Sequence, residues 1–162
     1  MAETKTVPQS TSDPDVTSGV AQFLGPVVTD LTALSIDGKQ AHWHVRGANF
    51  QAVHELLDSV VDHAHEYADT AAERVVALGL PLDVRIQTVG AKTTTPALAP
   101  GFQQSNTVIG QIIASIDATL ATVRTAVDEL GPLDAVSQDV AIEIARGLEK
   151  DRWFLFAHLA TK

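Results

Sequence analysis

Five of the six histidines in the chain, His42, His44, His54, His63 and His65, crowd between positions 42 and 65. Imidazole titrates near neutrality, moves protons and ligates transition metals, so such crowding invites a chemical reading. A lone histidine is more often a satisfied core or surface group, and each position has to be weighed separately. On a helical wheel, His54, Asp58, Asp62, His65, Asp69 and Glu73 share one stripe about 100° wide. The stripe carries no lysine or arginine to pair its carboxylates. One reading is a solvated face with pairs inside the helix. The other is a metal-binding face, because imidazole nitrogen and carboxylate oxygen are ligands that iron, manganese and zinc accept.

Asp58 and Glu73 stand 15 residues apart, which is about 22 Å along a helix axis. One ion cannot span that distance. Bundles that build a dinuclear centre within one chain use two Glu-x-x-His motifs on facing helices, and this sequence has none. The remaining solution is a two-fold partner packed antiparallel, so that the early stripe of one copy meets the late stripe of the other. An isologous contact of that kind creates two equivalent sites per dimer.

The elements that must hold these residues are long helices. Apolar residues recur at Val20, Leu24, Val27, Leu31, Leu34, Ala41 and Val45 after Ser18, a candidate N-cap. Pro26 inside this run predicts a kink or a late start. Gly47 reads as a stop and Asn49 as the next N-cap. A second helix carries Val53, Leu57, Val60, Ala64, Ala68, Ala71 and Val75, ending near Gly79-Leu80-Pro81. A third runs from Ile109 to Leu130 before Gly131-Pro132, and a fourth from near Asp134 to Phe156. Residues 80 to 102 hold Pro81, Gly90, Pro96, Pro100 and Gly101, too long a stretch for a bare loop in a compact domain. The expectation there is a crossover with a short helix near Leu82–Gln87. Residues 1–18, with Pro8 and Pro14 and no periodicity, read as a flexible N-terminal arm, and residues 19–162 as an antiparallel four-helix bundle.

Composition agrees. The 162 residues are 45% hydrophobic and 5% aromatic, which fits one helical domain with a real core. Cysteine is absent, which removes disulfides, thiolate sites and cysteine nucleophiles. The N-terminus lacks an apolar h-region, and no uncharged apolar run approaches the roughly 18 residues of a membrane span, so a cytoplasmic protein is expected. The formal net charge of -9 opposes a general nucleic-acid or anionic-membrane role and suits the handling of cations.

The segment His42-Trp43-His44-Val45-Arg46-Gly47-Ala48-Asn49-Phe50, then Val53-His54-Glu55-Leu56-Leu57-Asp58, Asp69-Thr70-Ala71-Ala72-Glu73-Arg74 and Leu78-Gly79, closely resembles the signature of the Dps family of mini-ferritins. The closing Asp151-Arg152-Trp153-Phe154-Leu155 resembles that family's last helix. The likeness implies an all-α, ferritin-like antiparallel bundle whose long crossover lies between helices two and three. It implies metal ligands at His42, His54, Asp58, Asp69 and Glu73, with iron as the cofactor. It further implies a homododecamer built from two-fold dimers that oxidises Fe(II), with hydrogen peroxide or oxygen, and stores the ferric product inside.

Weaker candidates surround these residues. Trp43 abuts His42 and is either an electron donor or a packing residue. Asp62 and His65, near the middle of the stripe, are candidates for an accessory ion or an interface. His44 and His63 read as surface residues. Asp134, Asp139 and Glu143 open the last helix; in similar proteins such acids line iron-entry pores, and the alternative is complementing the helix dipole. The arm sets Lys5 against Glu3, Asp13 and Asp15, so DNA binding is not expected. Two other functions compete with iron storage: a DNA-compacting stress protein, and a metal-dependent hydrolase using the same type of site.

Overall fold

The computed structural model describes Ser10 and residues 12–159. Four long helices, α1 (Pro14–His44), α2 (Phe50–Ala77), α4 (Ser105–Leu130) and α5 (Ala135–Leu159), form the bundle, and a short α3 (Ile86–Lys92) sits in the crossover. Two-residue strands β1 (Val45–Arg46) and β2 (Gln103–Gln104) pair in parallel. That pairing fixes the topology. It places the start of α4 beside the end of α1, so the crossover must return the chain along the bundle, and α2 and α4 run the same way. The helices pack in the ring order α1, α2, α5, α4, each antiparallel to its neighbours.

The periodic residues of all four helices meet in one core, with Leu24, Leu31, Leu34, Leu57, Ile109, Ile116, Leu120, Ile144, Leu148 and Leu155 fully buried. At Gly38, α1 approaches α2 closely: an added Cβ would lie 2.8 Å from Val61 Cγ2. α1 and α4 each contain a window of mean hydropathy 1.3 and 1.2 that could cross a membrane by length and composition, but half of each window is buried in this bundle.

Three boundaries differ from the sequence reading. α1 starts at Pro14, inside the stretch assigned to the arm, because Asp13 and not Ser18 is the cap: its carboxylate accepts from Asp15 N at 2.8 Å, and proline suits the first helical position. Residues 1–9 and 11 of the expected arm lie outside the described residues. Pro26 does not divide α1 or delay its start, and Val27 and Val28 beyond it are buried. The short helix begins at Ile86, because Leu80, Leu82 and Val84 pack on the core at every second position, as an extended chain does. Asn49 does precede α2, but in the left-handed conformation (φ 57°) and with no side-chain cap bond.

A buried aspartate fastens the crossover. Asp30 on α1 is 1% exposed. It accepts hydrogen bonds from Thr93 Oγ1 (3.0 Å), Thr94 N (2.7 Å), Thr94 Oγ1 (2.7 Å) and Thr122 Oγ1 (2.7 Å). Four donors on one carboxylate make burial of the charge tolerable and tie α1, the crossover and α4 together.

Candidate metal centre

The five-residue return between α1 and α2 brings His42, on the last turn of α1, against His54, in the first turns of α2. Their rings stack with centroids 3.6 Å apart and planes at 24°. His42 Nδ1 donates to the His54 carbonyl at 2.8 Å, and His54 Nδ1 donates to the His42 carbonyl at 2.9 Å. A carbonyl can only accept, so each Nδ1 carries a proton, and in the neutral imidazole the lone pair is on Nε2. Donation of the second ring nitrogen to a carbonyl is how proteins orient metal-binding imidazoles.

Asp58 lies one turn beyond His54. Its Oδ1 lies 3.2 Å from His42 Nδ1 and 2.5 Å from Lys39 Nζ. The hydrogen bond from Lys39 holds the Asp58 carboxyl below the ordinary carboxylate range, outweighing desolvation, with the charges of His42, Lys39 and His54 adding to the effect. A basic partner is therefore supplied after all, by α1 and not by the stripe itself. The one signal for Lys39 in the sequence is its place three residues before His42, on the same helical face.

Asp69 and Glu73 are exposed further along α2. Because α2 is one unbroken helix, they remain well apart from Asp58. Among the described residues no three His, Asp or Glu side chains converge into a metal-binding group. The candidate ligands thus divide into a histidine-rich half, His42 of α1 with His54 and Asp58 of α2, and a carboxylate half, Asp69 and Glu73. The donor set suits Fe(II): neutral imidazole binds it, and hard carboxylate oxygen favours the ferric product.

Asp62 and His65 are exposed on the same face, and His65 lines an open groove with Ile36, Lys39, Trp43 and Val61. Trp43 is 62% exposed beside the histidine pair. His44 is partly exposed but tied down, its Nδ1 donating to the Gln40 carbonyl at 2.8 Å with its ring against exposed Phe102. His63 is no free surface group either: it bonds buried Asp151 on α5. Asp134 accepts from Arg74 Nη2 at 2.7 Å and from Ser137 N at 3.0 Å, so it caps α5 in an ion pair. Burial works to raise the Asp134 carboxyl, but the bonds from Ser137 and Arg74 prevail and hold it low. Asp139 and Glu143 remain exposed one turn apart on α5.

A bundle with this chain order, a long crossover between its second and third long helices and paired imidazoles at one end defines a ferritin-like protein. The ferritin-like domain family matches residues 22–162 of the chain. The DNA protection during starvation protein of Mycolicibacterium smegmatis is 34% identical over 151 residues, covering 88% of this chain and 78% of that protein. Its counterpart in Agrobacterium fabrum is 32% identical over 146 residues and 90% of each chain. The solved structure of Dps from Microbacterium arborescens in the high iron form is 58% identical, superposes with a TM-score of 0.91, and covers 94% of this chain and 99% of that one. The chain belongs to the Dps family, a ferritin-like family of iron storage and protection.

Proposed function

We propose that this chain is a ferroxidase whose iron site is shared by two subunits. His42, His54 and Asp58 of one copy and Asp69 and Glu73 of a two-fold partner supply the ligands. The observation that carries the reading is the reciprocal hydrogen bonding of His42 and His54 through Nδ1, which leaves each Nε2 for a metal in the neutral imidazole, with the Asp58 carboxylate 3.2 Å from His42 Nδ1. Iron is the substrate. Each of two Fe(II) ions gives one electron, the O–O bond of one peroxide breaks, and two protons complete two waters. Delivering both electrons together avoids releasing a hydroxyl radical. Few protein ligands leave open positions for peroxide, and exposed Trp43 is a reserve electron donor when oxidant exceeds iron. The ferric product would be held inside a homododecamer in the cytoplasm, and Asp62 and His65 would lie near the two-fold axis.

Subunit mixing tests the proposal. Chains carrying His42→Ala, His54→Ala and Asp58→Ala should be inactive, as should chains carrying Asp69→Ala and Glu73→Ala. Dissociated and reassembled together, they should regain part of the Fe(II) oxidation rate, because some hybrid dimers hold one complete site. Hybrids confirmed by mass yet showing no recovered oxidation would overturn the shared site.

A further inference from the structure

The crossover ends against the return between α1 and α2. β1 follows α1 directly and β2 leads directly into α4, and their pairing sets Val45 against Gln103 and Arg46 against Gln104. The residue before β2 is Phe102. Arg46 Cζ stands 3.2 Å from the centroid of its ring, and the His44 ring centroid lies 5.3 Å away. One aromatic ring thus meets the two residues on either side of Val45, which is 2% exposed. Phe102 itself is 59% exposed. A ring that keeps most of its surface in water adds little to the core, so burial does not account for its place. A guanidinium drawn to its face does. Two further contacts hold the same stretch of backbone. His44 Nδ1 donates to the Gln40 carbonyl one turn back, and the Gln104 side chain covers Gly47 where a Cβ would stand. Gly47 takes a φ of 94°, which glycine alone adopts readily.

We propose that Phe102 is a positioning residue for the histidine half-site: by gripping His44 and Arg46 it fixes the return in the register that lets His42 and His54 bond each other's carbonyls. This role rests on the reading of those two histidines as metal ligands. The reciprocal bonds, 2.8 and 2.9 Å long, each join a ring at one helix end to a carbonyl at the other. Helix ends fray, so a ring pair built on two of them depends on what holds the backbone just beyond. His44 is two residues past His42, and Arg46 is in the return itself. Phe102 is no ligand and acts through that backbone alone. Without the ring the return is looser, and the two Nε2 atoms lose their fixed spacing while every ligand remains in the chain. If Phe102 only secured the crossover, removing it would change stability and leave the metal affinity of the folded assembly alone.

Cobalt(II) is a suitable probe, because imidazole and carboxylate bind it and its visible spectrum reports the ligands. Its binding would be measured on the assembled protein by calorimetry and absorption, well below the melting temperature. The chains compared are the natural one, Phe102→Ala, Phe102→Leu, Phe102→Tyr, Arg46→Met, and Arg46→Met with Phe102→Ala. Phe102→Ala should bind cobalt about fivefold more weakly, the loss of one exposed contact between a cation and a ring, and its cobalt spectrum should change. Phe102→Leu keeps apolar bulk without the aromatic face; it should weaken binding too, and it carries the same test if the alanine variant does not assemble. Phe102→Tyr keeps the face and should bind as the natural chain does. Beside Arg46→Met, the further change Phe102→Ala should cost less than it does alone, because the two residues share one contact. Unchanged affinity in both the alanine and leucine variants, a loss that tyrosine does not restore, or a full loss that persists beside Arg46→Met would overturn the positioning role. A His42→Ala, His54→Ala chain separates the two readings. Cobalt binding that ignores this change defeats the histidine ligands and the positioning role together. Binding that needs both histidines but ignores Phe102 defeats the positioning role alone.

Discussion

His63 on α2 and Asp151 on α5, 88 positions apart, meet with His63 Nδ1 at 3.0 Å from both carboxylate oxygens. Asp151 is 3% exposed, and its burial pushes the carboxyl above its ordinary value of 3.8, with the His63 hydrogen bond opposing. A raised acid binds its proton more readily in the folded state than in the unfolded one. The ionised form therefore subtracts stability, and that loss disappears as pH falls through the raised folded value toward 3.8. Asp151→Asn keeps an acceptor for His63 without the charge. Its melting temperature relative to the natural chain should be highest near about pH 7 and fall toward about pH 4. A difference that is flat with pH would refute the assignment.

The crossover should depend on Asp30. Asp30→Ala strands the hydroxyls of Thr94 and Thr122 and the Thr94 amide, and should cost about 3 kcal/mol in urea unfolding. Amide exchange should accelerate first at residues 93–95. Uniform acceleration throughout the bundle would mean that the clasp is not local.

The acids at the start of α5 should separate into two roles. Asp134→Asn loosens the Arg74 pair and the cap on Ser137, and should lower stability by about 1 kcal/mol. Asp139→Asn with Glu143→Gln should leave stability near that of the natural chain and slow iron uptake, since exposed carboxylates concentrate cations electrostatically. Stopped-flow uptake at low ionic strength decides it: an unchanged rate would remove these two residues from the entry path.

Duplex DNA should not bind appreciably at neutral pH and physiological salt, although relatives are named for DNA protection. Non-specific affinity comes from basic groups that displace counterions from phosphate. The chain carries a formal charge of -9, and in its first 18 residues the single lysine, Lys5, is outnumbered by Glu3, Asp13 and Asp15. Multiplying a repulsive contact over many copies gives no avidity. A gel shift with chelator present tests this, and retarded DNA would show that the surface has been misjudged.

Periodicity is a local rule, and its consequences are legible along the chain. Apolar steps of three and four announced four long helices, Gly131-Pro132 ended the third, and the spacing of His54, Asp58, Asp69 and Glu73 put them on one helical face. The separation of Asp58 from Glu73 is likewise set by rise per residue alone. Near misses in local structure came from cues that compete: Asp13-Pro14 is a good start signal hidden in a polar stretch, and alternating Leu80, Leu82 and Val84 delay α3.

Partnerships between helices are another matter, because they depend on how far each helix slides and rotates against the next. No local pattern sets that register; the packed core does. Only the tertiary structure could pair Lys39 with Asp58, Arg74 with Asp134 and His63 with Asp151, or gather three threonines around Asp30. The sequence by itself determined which ligand types share a face. The fold decided that His42 and His54 each bond the other's backbone carbonyl through Nδ1, because those bonds need two helix ends brought within side-chain reach by a five-residue return.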